Sequence, residues 1–110
     1  MTSDQDGGAQ SDERLDPRFE GRLEAELLVD GAWWCCWIRD LSLGGAGLEP
    51  PLPAALGKMV ELKSPRFDFK ARLRGRVVNL ADRRTCLAFD LDAATRRHLE
   101  AFLRANGESS

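Results

Sequence analysis

The sequence predicts an all-β domain in which six short antiparallel strands form a small barrel with one C-terminal helix. Several short runs alternate apolar and polar residues with a period of two, which is typical of strands with one buried face. Turn-forming Asp, Gly and Pro residues separate these runs. The last apolar segment changes to helical spacing. A chain of 110 residues, of which 43% are hydrophobic, provides one domain with a single modest core.

The predicted strands differ in the polar residues that they carry. In the first strand, leucine and alanine alternate with glutamate, and Asp30-Gly31 predicts the hairpin turn that follows. In the fifth strand, the polar face is basic and includes Arg74 and Arg76. The six predicted strands are residues 23–29, 33–39, 41–48, 57–62, 67–79 and 85–91.

The second predicted strand is apolar on both faces. One face carries Trp33, Cys35 and Trp37, and the other carries Trp34, Cys36 and Ile38. We therefore expect this strand to be either central or covered on both sides, with the tryptophans packed in the core. Stacking of the indole rings on nucleic-acid bases is the alternative.

The C-terminal segment has the pattern of an amphipathic helix over residues 93–105. Asp92 is a favourable N-cap residue, and Gly107 is suited to end the helix. One stripe of the helix is apolar and consists of Leu99, Phe102 and Leu103. This stripe is expected to pack the helix against the barrel or into its opening.

Charge and composition limit the class of protein. The net charge is −2 and the pI is about 5.4, which argues against general binding to a nucleic-acid backbone. No apolar run approaches the ~20 residues of a membrane span, and the N-terminus lacks the pattern of a signal peptide. We therefore expect a cytoplasmic protein without membrane insertion. Residues 1–13 carry no large apolar residue after Met1 and are predicted to be a disordered tail.

The reactive side chains predict neither a metal site nor an active site. The sequence has one histidine and three cysteines, Cys35, Cys36 and Cys86, without a C-x-x-C pair. We expect these thiols to pack as small apolar residues in a reducing compartment. Because no nucleophile lies beside a base, we expect no enzymatic activity, and we expect no cofactor.

The segment from Asp40 to Gly47 combines residue types that suit a flat, polar ligand edge such as guanine. Asp40 offers a carboxylate and Ser42 a hydroxyl that donates or accepts. The glycines at 44, 45 and 47 are expected to allow positive φ and close approach of a ligand. The alternative is an ordinary strand-to-strand turn, in which Asp, Ser and Gly are common.

A second motif lies upstream of this segment. Arg14-x-x-x-Arg18, followed by Asp40-x-Ser42-x-x-Gly45, resembles the paired RxxxR and D/N-x-S-x-x-G signature of PilZ domains, which are bacterial receptors for cyclic di-GMP. The resemblance implies a six-stranded PilZ-type β-barrel with a C-terminal helix and a flexible N-terminal arm. It implies a PilZ domain over residues 14–106, divided into a ligand-binding arm (14–22), a barrel (23–91) and a helix (92–106).

The resemblance also implies which residues bind the ligand. Arg14 and Arg18 would pair with guanine or phosphate through their forked guanidinium groups, and Asp40, Ser42 and Gly45 would face a guanine edge. Arg18-x-x-x-Arg22 is an alternative register, in which Arg22 replaces Arg14. Further candidate residues are Arg22, Gly44, Gly47, Arg74 and Arg76. An acidic residue, Glu13, stands where many members that bind a stacked ligand dimer have arginine, which favours one ligand per chain.

The function implied by the resemblance is that of a stand-alone cyclic di-GMP receptor or adaptor. Ligand binding would order the RxxxR arm and alter a surface for a protein effector that controls motility, biofilm formation or secretion. One alternative is a PilZ-fold protein-interaction module without nucleotide binding, in pilus or flagellar regulation. The other is a small barrel that binds single-stranded nucleic acid through its tryptophans and basic strand, which the acidic pI disfavours.

Overall fold

The computed structural model describes residues 17–107 as a six-stranded barrel with one helix. A 3-10 turn, Pro53–Ala55, lies between the third and fourth strands. The strands are β1 (Arg18–Val29), β2 (Ala32–Ser42), β3 (Gly45–Glu49), β4 (Met59–Lys63), β5 (Leu73–Ala81) and β6 (Arg84–Phe89), and the helix is α1 (Ala93–Asn106).

The barrel is closed, and every pair of neighbouring strands is antiparallel. The strand order is β1-β2-β3-β6-β5-β4, and two neighbouring pairs, β3–β6 and β1–β4, are not consecutive in the sequence. The barrel closes where β1 pairs with β4, at Glu26–Lys63, Leu27–Leu62 and Leu28–Glu61. The predicted fold, a six-stranded antiparallel barrel with a C-terminal helix, is confirmed.

The inward side chains of the strands form one core, to which α1 contributes its apolar stripe. Leu27, Ile38 and Leu62 have no exposed surface. Leu99, Phe102 and Leu103 of α1 belong to the same buried cluster. The C-terminal end of α1 lies next to the start of β1, because a Cβ atom on Gly107 would lie 2.3 Å from the backbone oxygen of Arg18. The helix therefore supports the strand end that carries Arg18.

Both ends of α1 are formed as predicted. The Asp92 side chain accepts a hydrogen bond from the backbone N–H of Thr95 at 2.7 Å, so Asp92 is the N-cap. This hydrogen bond lowers the pKa of the Asp92 carboxyl. At the other end, the N–H of Gly107 donates to the Leu103 carbonyl at 2.7 Å.

The start of β1 is the main departure from the predicted strand boundaries. The barrel was predicted to begin at residue 23, but β1 begins at Arg18 and pairs with β2 from Arg18–Ser42 onward. Residues 18–22, which the sequence analysis assigned to the ligand-binding arm, are therefore part of a paired strand. Residues 1–13 and the rest of the predicted arm, including Arg14, lie outside the described residues.

The fifth strand is shorter than predicted because aromatic packing replaces its first part. It begins at Leu73 instead of residue 67. The rings of Phe67 and Phe69 stack on each other with centroids 4.9 Å apart, and Phe67 meets Phe102 of α1 edge-on at 5.2 Å. This apolar alternation therefore reflects the attachment of the helix and not a strand.

β2 lies between β1 and β3, which agrees with a central strand, but the expectation that its tryptophans pack in the core is wrong for Trp33 and Trp34. Trp33 and Trp34 remain 37% and 47% exposed, whereas Cys36 and Ile38 are buried. Cationic side chains partly cover the outer rings, with the Lys63 ammonium 4.2 Å from the Trp33 ring centre and the Arg22 guanidinium 4.3 Å from that of Trp37. The outer apolar face is thus stabilised by long charged side chains and not by a second layer of structure.

The two neighbouring cysteines of β2 are expected to react very differently with an alkylating agent. Cys35 is exposed, so its expected role as a packing residue is wrong, whereas Cys36 is buried. Burial raises the pKa of the Cys36 thiol to about 12, which removes the reactive thiolate at neutral pH. Iodoacetamide treatment of the native protein, followed by fragment-ion mass spectrometry, should place the label on Cys35. Both thiols should react in guanidinium chloride, and equal native labelling would contradict the burial of Cys36.

Candidate functional site

The two sequence motifs meet where β1 begins and β2 ends. Because the strands are antiparallel, Arg18 pairs directly with Ser42, and Glu20 pairs with Asp40. Arg18, Asp40 and Ser42 line a single cavity of about 160 Å³ on the barrel surface. Its remaining lining residues are Phe19, Glu20, Leu41 and Arg84. Of the described part of the predicted ligand set, strand pairing thus brings Arg18, Asp40 and Ser42 together, whereas Gly45 does not line the cavity.

Asp40 is held by a residue that the sequence analysis did not identify. The Arg84 Nη1 atom donates to Asp40 Oδ2 at 2.7 Å across the surface of β3. Arg84 also reduces the like-charge repulsion that Asp40 would otherwise experience from its cross-strand neighbour Glu20. The sequence shows Arg84 only as part of a turn before the sixth strand. Its proximity to Asp40 depends on the non-local β3–β6 pairing, which no local pattern reveals.

The Ser42 hydroxyl is directed into its own turn. It accepts a hydrogen bond from the N–H of Gly44 at 3.3 Å and lies 3.4 Å from the Gly45 carbonyl, to which it donates. Both hydrogen bonds are long. The hydroxyl therefore helps to form the β2–β3 turn and is held weakly enough to exchange these partners for a ligand atom.

The glycines of the motif are required for a different reason from the one predicted. None of Gly44, Gly45 and Gly47 has a positive φ, so that expectation is wrong. Two of them are required because a neighbouring atom lies too close to leave room for a side chain. A Cβ atom on Gly45 would lie 2.1 Å from the Leu87 backbone oxygen, and one on Gly47 would lie 2.4 Å from Asp40 Oδ2. Gly47 thus provides the space into which the Asp40 carboxylate folds, whereas a Cβ atom on Gly44 would meet nothing within 4 Å.

The additional arginine candidates lie away from this cavity. Arg22 stacks on Trp37 on the outer face of the hairpin. Arg74 lines a separate polar cavity with Glu61, Lys70 and Arg72. Arg76 donates to the Gly57 carbonyl at 2.8 Å. Among the described residues, Arg18 and Arg84 thus line the cavity of Asp40 and Ser42. Arg22, Arg74 and Arg76 do not.

The charges in the cavity suit a polar ligand with both donors and acceptors. Arg18 and Arg84 supply guanidinium groups, whereas Glu20 and Asp40 supply carboxylates. A carboxylate accepts from the N–H groups of a guanine edge, and a guanidinium pairs with guanine O6 and N7 or with phosphate. Within residues 17–107, no cluster of His, Cys, Asp and Glu could hold a metal ion.

Comparison with known proteins identifies the family to which the sequence belongs. The family model of the PilZ domain matches residues 12–105 of the sequence. The chain belongs to the PilZ domain family. This is a family of cyclic di-GMP receptors, and its domains bind and regulate instead of catalysing reactions.

Solved PilZ structures share the fold at low sequence identity. The PilZ domain of CeSA from a cellulose-synthesizing bacterium has a TM-score of 0.66 and 16% identity, and the match covers 80% of this chain and 95% of that one. The Bacillus subtilis inhibitor of motility MotI/DgrA has a TM-score of 0.61 and 12% identity, and the match covers 82% of this chain. MrkH, described as a c-di-GMP-dependent transcription regulatory factor, has a TM-score of 0.62 and 18% identity, and the match covers 82% of this chain.

The present chain spans 49% of the length of MotI/DgrA and 49% of that of MrkH. No curated protein sequence matches the chain significantly. Of the helices in the described part of the chain, none is both long and apolar enough to cross a membrane.

Proposed function

We propose that this PilZ domain is a cyclic di-GMP receptor that acts as an adaptor, without enzymatic activity. The observation that carries the proposal is the convergence of Arg18, Asp40 and Ser42 in one cavity, in a member of this family. The cavity contains groups for both edges of guanine. Asp40 accepts from the N–H edge, and Arg18 donates to O6 and N7 or to a phosphate.

The size of the cavity limits how much of the ligand it receives. Its volume of about 160 Å³ is below the range of about 300–1,000 Å³ that is usual for pockets enclosing a whole small molecule. One guanine base therefore occupies this cavity, and the phosphates and second guanine contact residues outside it. Arg14, four residues before Arg18, is the proposed partner of that outer part.

Signalling would follow from the joining of the segment that carries Arg14 to the barrel rim at Arg18, Asp40 and Ser42 by one ligand. A ligand that contacts both segments stabilises the conformation in which they lie together. This creates a surface that differs between the free and bound protein and can be read by a protein effector. We place this adaptor in the cytoplasm, where it would control motility, biofilm formation or secretion.

Calorimetric titration of the full chain with cyclic di-GMP, with GTP as the control nucleotide, tests the proposal. Saturable binding of the dinucleotide alone is expected, and the stoichiometry distinguishes one ligand from a stacked pair. Because a binding enthalpy can vanish by compensation, a second probe such as equilibrium dialysis accompanies the titration. Absence of binding in both measurements would favour a PilZ-fold protein-interaction module without nucleotide binding.

Arg84 is expected to contribute to affinity by positioning Asp40. In Arg84→Ala, the Asp40 carboxylate loses the donor at 2.7 Å, and the cavity loses a positive charge. Because the Arg84 side chain is 34% exposed, we expect only a moderate effect, about a three- to tenfold loss of cyclic di-GMP affinity.

The neighbouring Arg83 provides the matched control for this substitution. Arg83→Ala removes the same charge from an exposed turn residue that does not line the cavity, and affinity should change by less than about twofold. Equal losses in both variants would indicate a long-range charge effect. A gain in affinity for Arg84→Ala would mean that Arg84 competes with the ligand for Asp40.

A further inference from the structure

A free strand edge lies on the β1–β2 hairpin, outside the part of β2 that the closed barrel covers. β2 begins at Ala32, but β3 pairs with it only from Trp37–Glu49 onward. On the side that faces away from β1, residues 32–36 therefore have no strand partner within the described part of the chain. These residues are here named the β2 edge. None of them lines the cavity of Asp40.

The β2 edge has none of the features that usually protect an exposed strand from pairing. Its sequence, Ala-Trp-Trp-Cys-Cys, contains neither a charged residue nor proline, and its pairing with β1 is regular. Trp33 and Trp34 point to opposite faces of the sheet and are 37% and 47% exposed. Aromatic residues favour strands, and charged residues are depleted at the core of protein interfaces. The β2 edge is therefore suited to receive another strand.

The hairpin turn determines which backbone groups point outward from this edge. The turn residues at positions 30 and 31 have φ angles of 52° and 82°, as in a two-residue type I′ turn, so the flanking Val29–Ala32 pair is hydrogen-bonded. Hydrogen-bonded pairs alternate along antiparallel strands, so every second residue from Ala32 onward directs its N–H and C=O groups to β1. The N–H and C=O groups of Trp33 and Cys35 consequently point away from β1, and no described strand binds them.

One antiparallel register joins all of these outward groups to those of a second copy of the chain. With a two-fold axis at Trp34, Trp33 of one copy lies opposite Cys35 of the other, so each outward N–H meets an outward C=O. A shift by one residue sets these groups against residues that are already bonded to β1. A shift by two residues sets them against the hairpin turn or against Trp37, which β3 already covers.

The same register is favourable for the side chains. The two Trp34 residues face each other across the axis as a non-hydrogen-bonded pair, the position at which opposite side chains lie closest. Ala32 of each copy lies opposite Cys36 of the other, so no like charges meet along the edge. A strand of another protein would satisfy only one free edge, whereas a second copy satisfies two and covers both exposed indole rings. The observations therefore favour a second copy as the occupant.

We propose that two copies of the chain pair through their β2 edges and form a two-fold symmetric dimer, in which one sheet continues from barrel to barrel. This dimer goes beyond nucleotide binding and does not depend on it, because the β2 edge and the cavity of Asp40 share no residue. Each dimer presents two such cavities to ligand.

Sedimentation equilibrium of the full chain without nucleotide tests the proposal, and a reversible dimer is expected. Trp34→Lys places two ammonium groups opposite each other on the axis and should weaken the dimer at least about tenfold. Val78→Lys is the matched control, because Val78 is 54% exposed on β5 and its substitution should change the dimer by less than about twofold. A chain that stays monomeric at the highest attainable concentration, or equal effects of the two substitutions, would overturn the proposal.

Cys35→Pro tests the backbone pairing itself. Proline at this position removes the outward N–H but no hydrogen bond to β1, so the barrel should fold and the dimer should be lost. Circular dichroism checks the fold of the variant. A dimer that persists in Cys35→Pro would show that the two copies meet through another surface and would contradict the assignment.

Cross-linking locates the contact between the copies. In the proposed register, the two Cys35 residues are diagonal neighbours with Cα atoms about 7–8 Å apart, within reach of a short bismaleimide. Because Cys35 is exposed, the cross-linked dimer should form in the wild type and in Cys86→Ser but not in Cys35→Ser. Cross-linking that persists in Cys35→Ser would assign the contact to another face of the barrel and overturn the proposal.

Discussion

Arg14→Ala is expected to weaken cyclic di-GMP binding by about 10- to 100-fold, whereas Arg22→Ala should change it by less than about twofold. The expected loss of binding free energy is that of a bidentate contact between arginine and a guanine or phosphate, about 1–3 kcal/mol. Arg18 belongs to both possible RxxxR registers, and it lies in the cavity with Asp40 and Ser42. Arg22 instead stacks on Trp37 at 4.3 Å, where its charge is directed away from the cavity.

This pair of variants decides between the two registers, and Arg18→Ala is the positive control. Affinity is measured by calorimetry for all three proteins, and circular dichroism checks that each is folded. Loss of binding in Arg18→Ala and Arg14→Ala alone supports the first register. Loss in Arg18→Ala and Arg22→Ala, with Arg14→Ala unchanged, would transfer the role to Arg22 and require its side chain to leave the Trp37 ring.

The fold class was predictable because period-two alternation is a local property. Each strand of an antiparallel barrel has one buried face, and the turn residues between strands are close in sequence. The boundaries were less predictable where side chains depart from this pattern. Arg18 and Glu20 at the start of β1 are both exposed, so the sequence there resembles a polar arm although its backbone is paired with β2.

The candidate site was predictable to the extent that its residues lie in two short motifs. Asp40 and Ser42 were identified from their chemistry and spacing, and the structure brings Arg18 beside them through a single hairpin. Arg84 could not be found in this way, because it reaches Asp40 only after β6 pairs with β3. Strand order depends on the packing of the whole barrel, which is not encoded in a local sequence pattern.

The reason why the motif requires glycine was also beyond local reasoning. A glycine at a motif position permits either positive φ or close contact, and the sequence alone does not distinguish them. Gly45 packs directly against the backbone of β6, which is a tertiary contact. This difference leads to an experiment on whether the final glycine of the signature serves the ligand or the fold.

Gly45→Ala is expected to destabilise the barrel, whereas Gly44→Ala should not. The new methyl carbon at position 45 would lie 2.1 Å from the Leu87 backbone oxygen, so β3 and β6 would have to separate. Overpacking of this kind costs about 1–3 kcal/mol, which lowers the melting temperature of a domain of this size by several degrees for each kcal/mol. A Cβ atom at position 44 would meet nothing within 4 Å, and the φ angle there is not positive.

Thermal unfolding of both variants without ligand separates a structural role of Gly45 from a ligand-binding role. If Gly45 is required by the fold, the melting temperature of Gly45→Ala falls in the absence of cyclic di-GMP, because the contact with Leu87 exists in the free protein. Gly44→Ala retains the wild-type melting temperature or slightly exceeds it, since alanine restricts the unfolded chain. An unchanged melting temperature together with lost affinity for Gly45→Ala would show that the glycine is required for the approach of the ligand. In that case, β3 and β6 can accommodate the methyl group by a small displacement, and the steric argument from the free barrel is wrong.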